Sequence, residues 1–139
     1  MDTGKTRKDK NEELKRRTKE FALRIIKLVD SLPHTLAART IGNQLIRSGT
    51  SVPANYRAAC RARSNADFIA KLGIVEEETD ESVFWIEMLV DADISKLSLV
   101  ENLIDEGHQL TGIWVSSINT ARGSKRNSTL RTPQSAVEK

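Results

Sequence analysis

The sequence predicts an all-α protein, an antiparallel up-down-up-down four-helix bundle whose second helix is kinked at a proline. Three observations carry that expectation. Apolar and small residues recur at spacings of three and four in four separate stretches, the period of one helix face. The stretches are separated by short turn and capping signals, and short connections favour antiparallel neighbours. No stretch alternates as a half-buried strand would, and no internal repeat is present.

Residues 1–10 (MDTGKTRKDK) lack apolar periodicity and are expected to form a disordered tail. The first helix is expected from Asn11, with Phe21, Ile25, Leu28, Val29 and Leu32 on its inner face. Pro33 stops it, because the residue before a proline is pushed out of the α region. Thr35 is a candidate N-cap for the second helix. The stripe Ala37, Ile41, Leu45, Ser48, Val52, Tyr56 and Ala59 keeps its phase across Pro53, so a single bent helix is expected there. The run Ser48-Gly49-Thr50-Ser51 is small enough for a neighbouring helix to approach closely.

Ser64 with Asp67 resembles a capping box and opens the third helix, whose stripe is Phe68, Leu72, Val75, Thr79, Ser82, Ile86 and Leu89. Ser98 with Glu101 forms an S-x-x-E box before a fourth helix carrying Leu99, Leu103, Leu110, Ile113, Ser117 and Ala121. From Arg122 the chain is polar and aperiodic. The bundle is therefore expected over residues 11–121, with a second disordered tail over 122–139.

Composition narrows the function classes. Cys60 is the only cysteine, so no intramolecular disulfide can form, which fits a reducing compartment. Residues 1–19 hold no apolar run of the kind a signal peptide needs, and no segment reaches the ~20 apolar residues of a membrane span. A cytoplasmic protein without membrane partners is expected. No glycine-rich phosphate loop, H-E-x-x-H or G-x-S-x-G is present. His34 lies in the Pro33 turn, where a solvent-exposed residue is expected. A di-iron bundle site uses two Glu-x-x-His motifs and two further glutamates, and a lone Asp105-x-x-His108 falls short of that. Neither histidine follows an arginine at the spacing of the four-helix nucleases that pair those residues, and Cys60 among small residues is expected to be a buried, inert thiol. No catalytic residue, metal site or cofactor is expected.

Charge is more telling. Residues 36–75 hold six basic residues against one acidic residue, and residues 76–106 hold eleven acidic residues against one basic residue. Arg47, Arg57, Arg61 and Arg63 are candidates for phosphate contacts. The opposing possibility is that they pair with the acidic third helix or serve subunit contacts. Only Tyr56 and Phe68 lie near them, so base stacking is not expected to dominate. The run Phe84-Trp85-Ile86-Glu87-Met88-Leu89-Val90 is apolar almost all round its helix. Ile86 and Leu89 serve the inner stripe. Phe84, Trp85 and Met88 are then surplus, and surplus apolar surface marks an oligomer interface unless the fourth helix covers it.

Gln44, Arg47, Ser48, Ser51, Ala54, Asn55, Arg63, Ser64 and Phe68 match a pattern in which Q-x-x-R-S-x-x-S-x-x-A-N precedes an arginine-serine step, an aromatic residue and an acidic helix. In that pattern the chain resembles the bacterial four-helix bundle proteins, also called the ribosomal RNA intervening-sequence protein family, over about residues 14–121. It departs from them where Ala59-Cys60 replaces the family's glutamate-glycine pair. The resemblance implies a cupped homopentamer of bundles with RNA or DNA as ligand. A related protein of diversity-generating retroelements is a pentameric accessory to a reverse transcriptase, which makes a reverse transcriptase a partner to consider here.

The function expected from residues and resemblance together is a non-enzymatic, homo-oligomeric nucleic-acid-binding or assembly module, accessory to an RNA-handling or reverse-transcriptase system. The alternatives are a protein-binding adaptor without nucleic-acid affinity and, more distantly, a metal-dependent nuclease using the acidic helix.

Overall fold

Four helices make the fold: α1 (Arg7–Asp30), α2 (Leu36–Ala59), α3 (Asn65–Asp91) and α4 (Leu97–Leu130). The computed structural model describes residues 4–130, and among these no strand is present. α2 packs extensively against α3, α3 against α4 and α1 against α2, whereas α1 and α4 touch only lightly. The all-α bundle expected from the sequence is the observed fold.

Helix starts follow local chemistry. Thr6 Oγ1 accepts from the Asp9 amide and Asp9 Oδ2 accepts from the Thr6 amide, both at 3.1 Å, a reciprocal capping box. This corrects the expected tail over residues 1–10, because helix begins at Arg7. The polar residues there lack a stripe but form helix readily behind a good cap. Thr35 caps α2 as expected, accepting from the Ala38 amide at 3.2 Å. Ser64 caps α3, accepting from the Asp67 amide at 3.0 Å, while Asp67 Oδ2 accepts from the Arg63 amide, one residue earlier than a true box. α4 starts at Leu97, so Ser98 sits inside its first turn and is not the expected cap. Ahead of it, Asp93 adopts a left-handed φ of 59°, and the amides of Ile94 and Ser95 both donate to Leu89 O, closing α3.

α2 runs through Pro53 as one helix. α4 continues to Leu130, which corrects the expected tail from Arg122 as far as that residue. Extending an established helix needs no new nucleus, and no proline intervenes before Pro133. The remaining tail residues, 1–3 and 131–139, lie outside the described ones.

The core is built from the expected stripes of α1, α2 and α3, with Phe21, Ile25, Leu45, Val52, Leu72, Val75, Ile86 and Leu89 fully buried. The start of α2 and the face of α4 differ. Ala38, not Ala37, is the buried alanine that opens α2. Leu99 is 78% exposed, and α4 instead buries Val100, Leu103, Ile104, Leu110, Trp114, Ile118 and Ala121. Gly107 holds a core position because a Cβ there would collide with Val83 Cγ2. Gly49 lets α1 approach as expected, since a Cβ would stand 2.6 Å from Ile25 Cδ1.

Polar groups inside the bundle are partnered. Trp114 Nε1 donates to Thr79 Oγ1 at 3.0 Å, and the Ser48 and Ser82 hydroxyls lie 3.0 Å apart across α2 and α3. Among the described residues no buried side-chain polar atom lacks a partner.

Candidate nucleic-acid interface

Two hydrogen bonds define one end of the bundle. The Tyr56 hydroxyl meets Asn11 Oδ1 at 3.3 Å, tying the end of α2 to the start of α1. Asn65 Nδ2 donates to the carbonyl of Ala121 at 2.8 Å, tying the start of α3 to α4. Arg57 and Arg61 leave the last turn of α2 and its C-terminal flank at this end, and Arg63 sits in the α2–α3 turn; all three are exposed. Arg61, Arg63 and Lys71 line an open depression with Ala58 and Asp67.

The sequence reading did not anticipate that α1 and α4 add to this end. Arg7, Lys8 and Lys10 at the start of α1 and Arg122 on α4 are exposed there too. The carboxylates present at the same end are engaged. Asp9 is in the Thr6 cap, Glu13 binds Lys5 at 2.9 Å, Glu12 binds Lys15 at 3.1 Å and Asp67 binds Lys71 at 2.6 Å. Lys71 holds the Asp67 carboxyl below its ordinary range, with the Arg63 amide helping. Arg7, Lys8, Lys10, Arg57, Arg61, Arg63 and Arg122 have no ion pair among the described residues, so their charge faces solvent. Nothing in the sequence alone shows that the starts of α1 and α3 share an end. Only the antiparallel order, once accepted, implies it.

Arg47 stands apart from the other three candidate arginines. It lies near mid-height on α2, bound to Glu78 at 3.2 Å and to Glu81 on α3. Glu81 also accepts from Trp85 Nε1 at 3.0 Å, and the indole and Arg47 together hold its carboxyl below the ordinary glutamate range. Arg47 is therefore spent between helices, while Arg57, Arg61 and Arg63 remain available.

The candidate interface residues also divide. Phe84 is 49% exposed, whereas Trp85 and Met88 are half-buried and Trp85 packs against the core. Phe84 and Trp85 rings meet edge-on at 4.9 Å. His34 and His108 are exposed, and Cys60 is half-buried at the end of α2. No group of three or more His, Cys, Asp or Glu is placed to hold a metal ion among the described residues, and no described helix is long and apolar enough to cross a membrane.

A family model described as 23S rRNA-intervening sequence protein matches residues 10–116, most of the bundle. The chain belongs to this family. As a 23S rRNA-intervening sequence family member it is similar to a solved protein of unknown function from the S23 ribosomal protein family of Bacteroides thetaiotaomicron VPI-5482. The two are 33% identical with a TM-score of 0.73, over 79% of this chain and 98% of that one. No curated protein matches the chain. Neither family description names an enzyme.

Proposed function

We propose that this family member is a non-enzymatic, homo-oligomeric cytoplasmic module that binds nucleic acid, structured RNA or DNA, through the basic end of its bundle. The observation that carries this is the set of exposed cations at that end without an ion pair among the described residues, centred on Arg57, Arg61 and Arg63, where the described carboxylates nearby are already engaged. A cation without an intramolecular partner can displace counterions from a phosphate backbone with no pair to break first. The names of the family and of its solved relative refer to ribosomal RNA and a ribosomal protein, which supports RNA as the first ligand to try. A ring of copies, a pentamer by family resemblance, multiplies these contacts and focuses their field. Service beside an RNA-handling enzyme or a reverse transcriptase fits a module that holds nucleic acid without acting on it. The adaptor reading has one observation in its favour, that Arg47 is bound to Glu78 and Glu81 and so serves packing.

The test is fluorescence anisotropy of a labelled hairpin RNA and a labelled duplex DNA, titrated with the protein over a salt series. Binding is expected at about 50 mM salt and is expected to weaken steeply as salt rises. Changing Arg57, Arg61 and Arg63 together to Gln is expected to weaken binding to every sequence and flatten the salt slope, with helicity unchanged. Absence of binding at low salt by the parent protein would overturn the proposal in favour of the adaptor.

A further inference from the structure

The outward stripe of α3 is Ile74, Glu77, Asp80, Phe84, Glu87 and Asp91, all exposed at spacings of three and four. Its four carboxylates make no ion pair among the described residues, unlike Glu78 and Glu81, which face α2. The stripe is thus an acidic ridge with a half-exposed phenyl ring set between its charges.

A second surface on the same chain has the opposite character. Where the end of α1 passes the start of α4 the two helices pack loosely, leaving a groove. Leu28, Leu99 and Val100 give it an apolar lining, and Arg24, Lys27 and Lys96 supply its charge. None of these three cations has an ion-pair partner among the described residues. Leu99, 78% exposed, is an apolar side chain that the fold of one chain leaves in water.

We infer that the acidic α3 ridge of one copy seats in the basic α1–α4 groove of a second copy, so that copies join head to tail. The inference rests on the oligomeric reading proposed above and names its contact. Charge complementarity selects the occupant: uncompensated carboxylates around Phe84 meet uncompensated cations around Leu99. Within one chain no ridge carboxylate pairs with a groove cation among the described residues, so both sets of charges are left for a second copy. The contact is therefore heterologous, which generates a ring when the rotation closes. The two surfaces share a height along the bundle. Residues 84–91 close α3, and the short segment after Asp91 leads directly into the groove wall at Ile94 and Lys96, so ridge and groove lie at the same end. In a ring whose copies stand parallel, ridge and groove therefore meet at equal height. All the basic ends, with Arg57, Arg61 and Arg63, then gather on one rim of the assembly.

Native mass spectrometry at micromolar concentration tests this with charge reversals on each surface. The ridge variant is Glu87→Lys with Asp91→Lys, and the groove variant is Lys27→Glu with Lys96→Glu. Each alone is expected to fall from the parent mass to monomer with its helicity kept. Mixed together they are expected to associate again as strictly alternating copies, in even-numbered hetero-oligomers because an odd ring cannot alternate, and all four changes in one chain are expected to restore the parent assembly. Phe84→Ser and Leu99→Ser, which alter no charge, are expected to weaken the parent assembly and carry the test if a reversal fails to fold. An oligomeric parent whose ridge and groove variants keep the parent mass would overturn this contact and leave the oligomeric reading standing. A parent that is monomeric throughout would overturn both.

Discussion

The indole N–H of Trp114 on α4 donates to the hydroxyl of Thr79 on α3 at 3.0 Å in a fully buried position, and Thr79 Oγ1 lies 2.7 Å from the carbonyl of Val75. Tyr56 of α2 lies against the same indole, ring centroids 5.1 Å apart. Three helices therefore meet at one side chain.

Thr79→Val keeps the shape and removes the acceptor. A buried N–H left without a partner costs roughly 1–3 kcal/mol. Urea denaturation of Thr79→Val is expected to show a loss of that size, and Thr79→Ser, which keeps the hydroxyl, a smaller one. Equal losses in the two variants would mean that packing by the methyl matters more than the hydrogen bond.

Gly107→Ala is expected to destabilise the protein, against the usual trend. Alanine in a helix interior normally gains about 1 kcal/mol over glycine. Here the added methyl collides with Val83 Cγ2, a stiff β-branched group that cannot swing aside. Overpacking of that kind costs about 1–3 kcal/mol, which offsets or outweighs the propensity gain. Gly112 and Gly73 have open space at the Cβ position, so Gly112→Ala and Gly73→Ala are expected to stabilise in the same thermal-melt series.

Gly107 also explains where the sequence misled. Helices α1, α2 and α3 show unbroken stripes, and their buried faces were legible to within one residue. In α4 the central core position carries no side chain. Leu103, Leu110 and Ala121 then fit two phases equally well. The phase through Leu99, Ile113 and Ser117 competes with the true one through Val100, Trp114 and Ile118. The arginines at the α2–α3 turn were legible as a cluster, but Arg47 belonged to that cluster only in sequence. It lies about three helix turns before Arg57, at the height of Glu78 and Glu81. The groove between α1 and α4 was not legible, since it depends on how loosely two helices distant in sequence pack.

Acid is expected to weaken the α2–α3 contact through Glu81. Its carboxyl lies below the ordinary glutamate value in the folded protein because Trp85 and Arg47 both favour its charged form. A lowered folded value means that its contribution is fully present above the unfolded value and is lost as pH falls through the folded one. Stability from chemical denaturation, compared at pH 7 and in the pH 3 range, is expected to drop less in Glu81→Gln than in the parent. The same pH dependence in both would remove Glu81 from the acid response.

Arg47→Gln is expected to lower the thermal midpoint modestly, since its ion pairs are half-exposed and screened. It is expected to leave the salt dependence of nucleic-acid binding unchanged, because its charge is already neutralised by α3. A flattened salt slope in Arg47→Gln would return this arginine to the binding surface.

The basic end is tested most directly by two double variants of equal net charge, Arg57→Gln with Arg61→Gln and Lys19→Gln with Arg39→Gln, in the same salt titration against a hairpin RNA. Lys19 and Arg39 are exposed cations away from that end. Each lost phosphate contact lowers the slope of log affinity against log salt by roughly 0.7–0.9. The first pair is expected to lose up to about two such contacts per protomer, and the second to keep the parent slope. Equal slopes in the two variants would mean that net charge alone, and not the end of the bundle bearing Arg57 and Arg61, attracts nucleic acid.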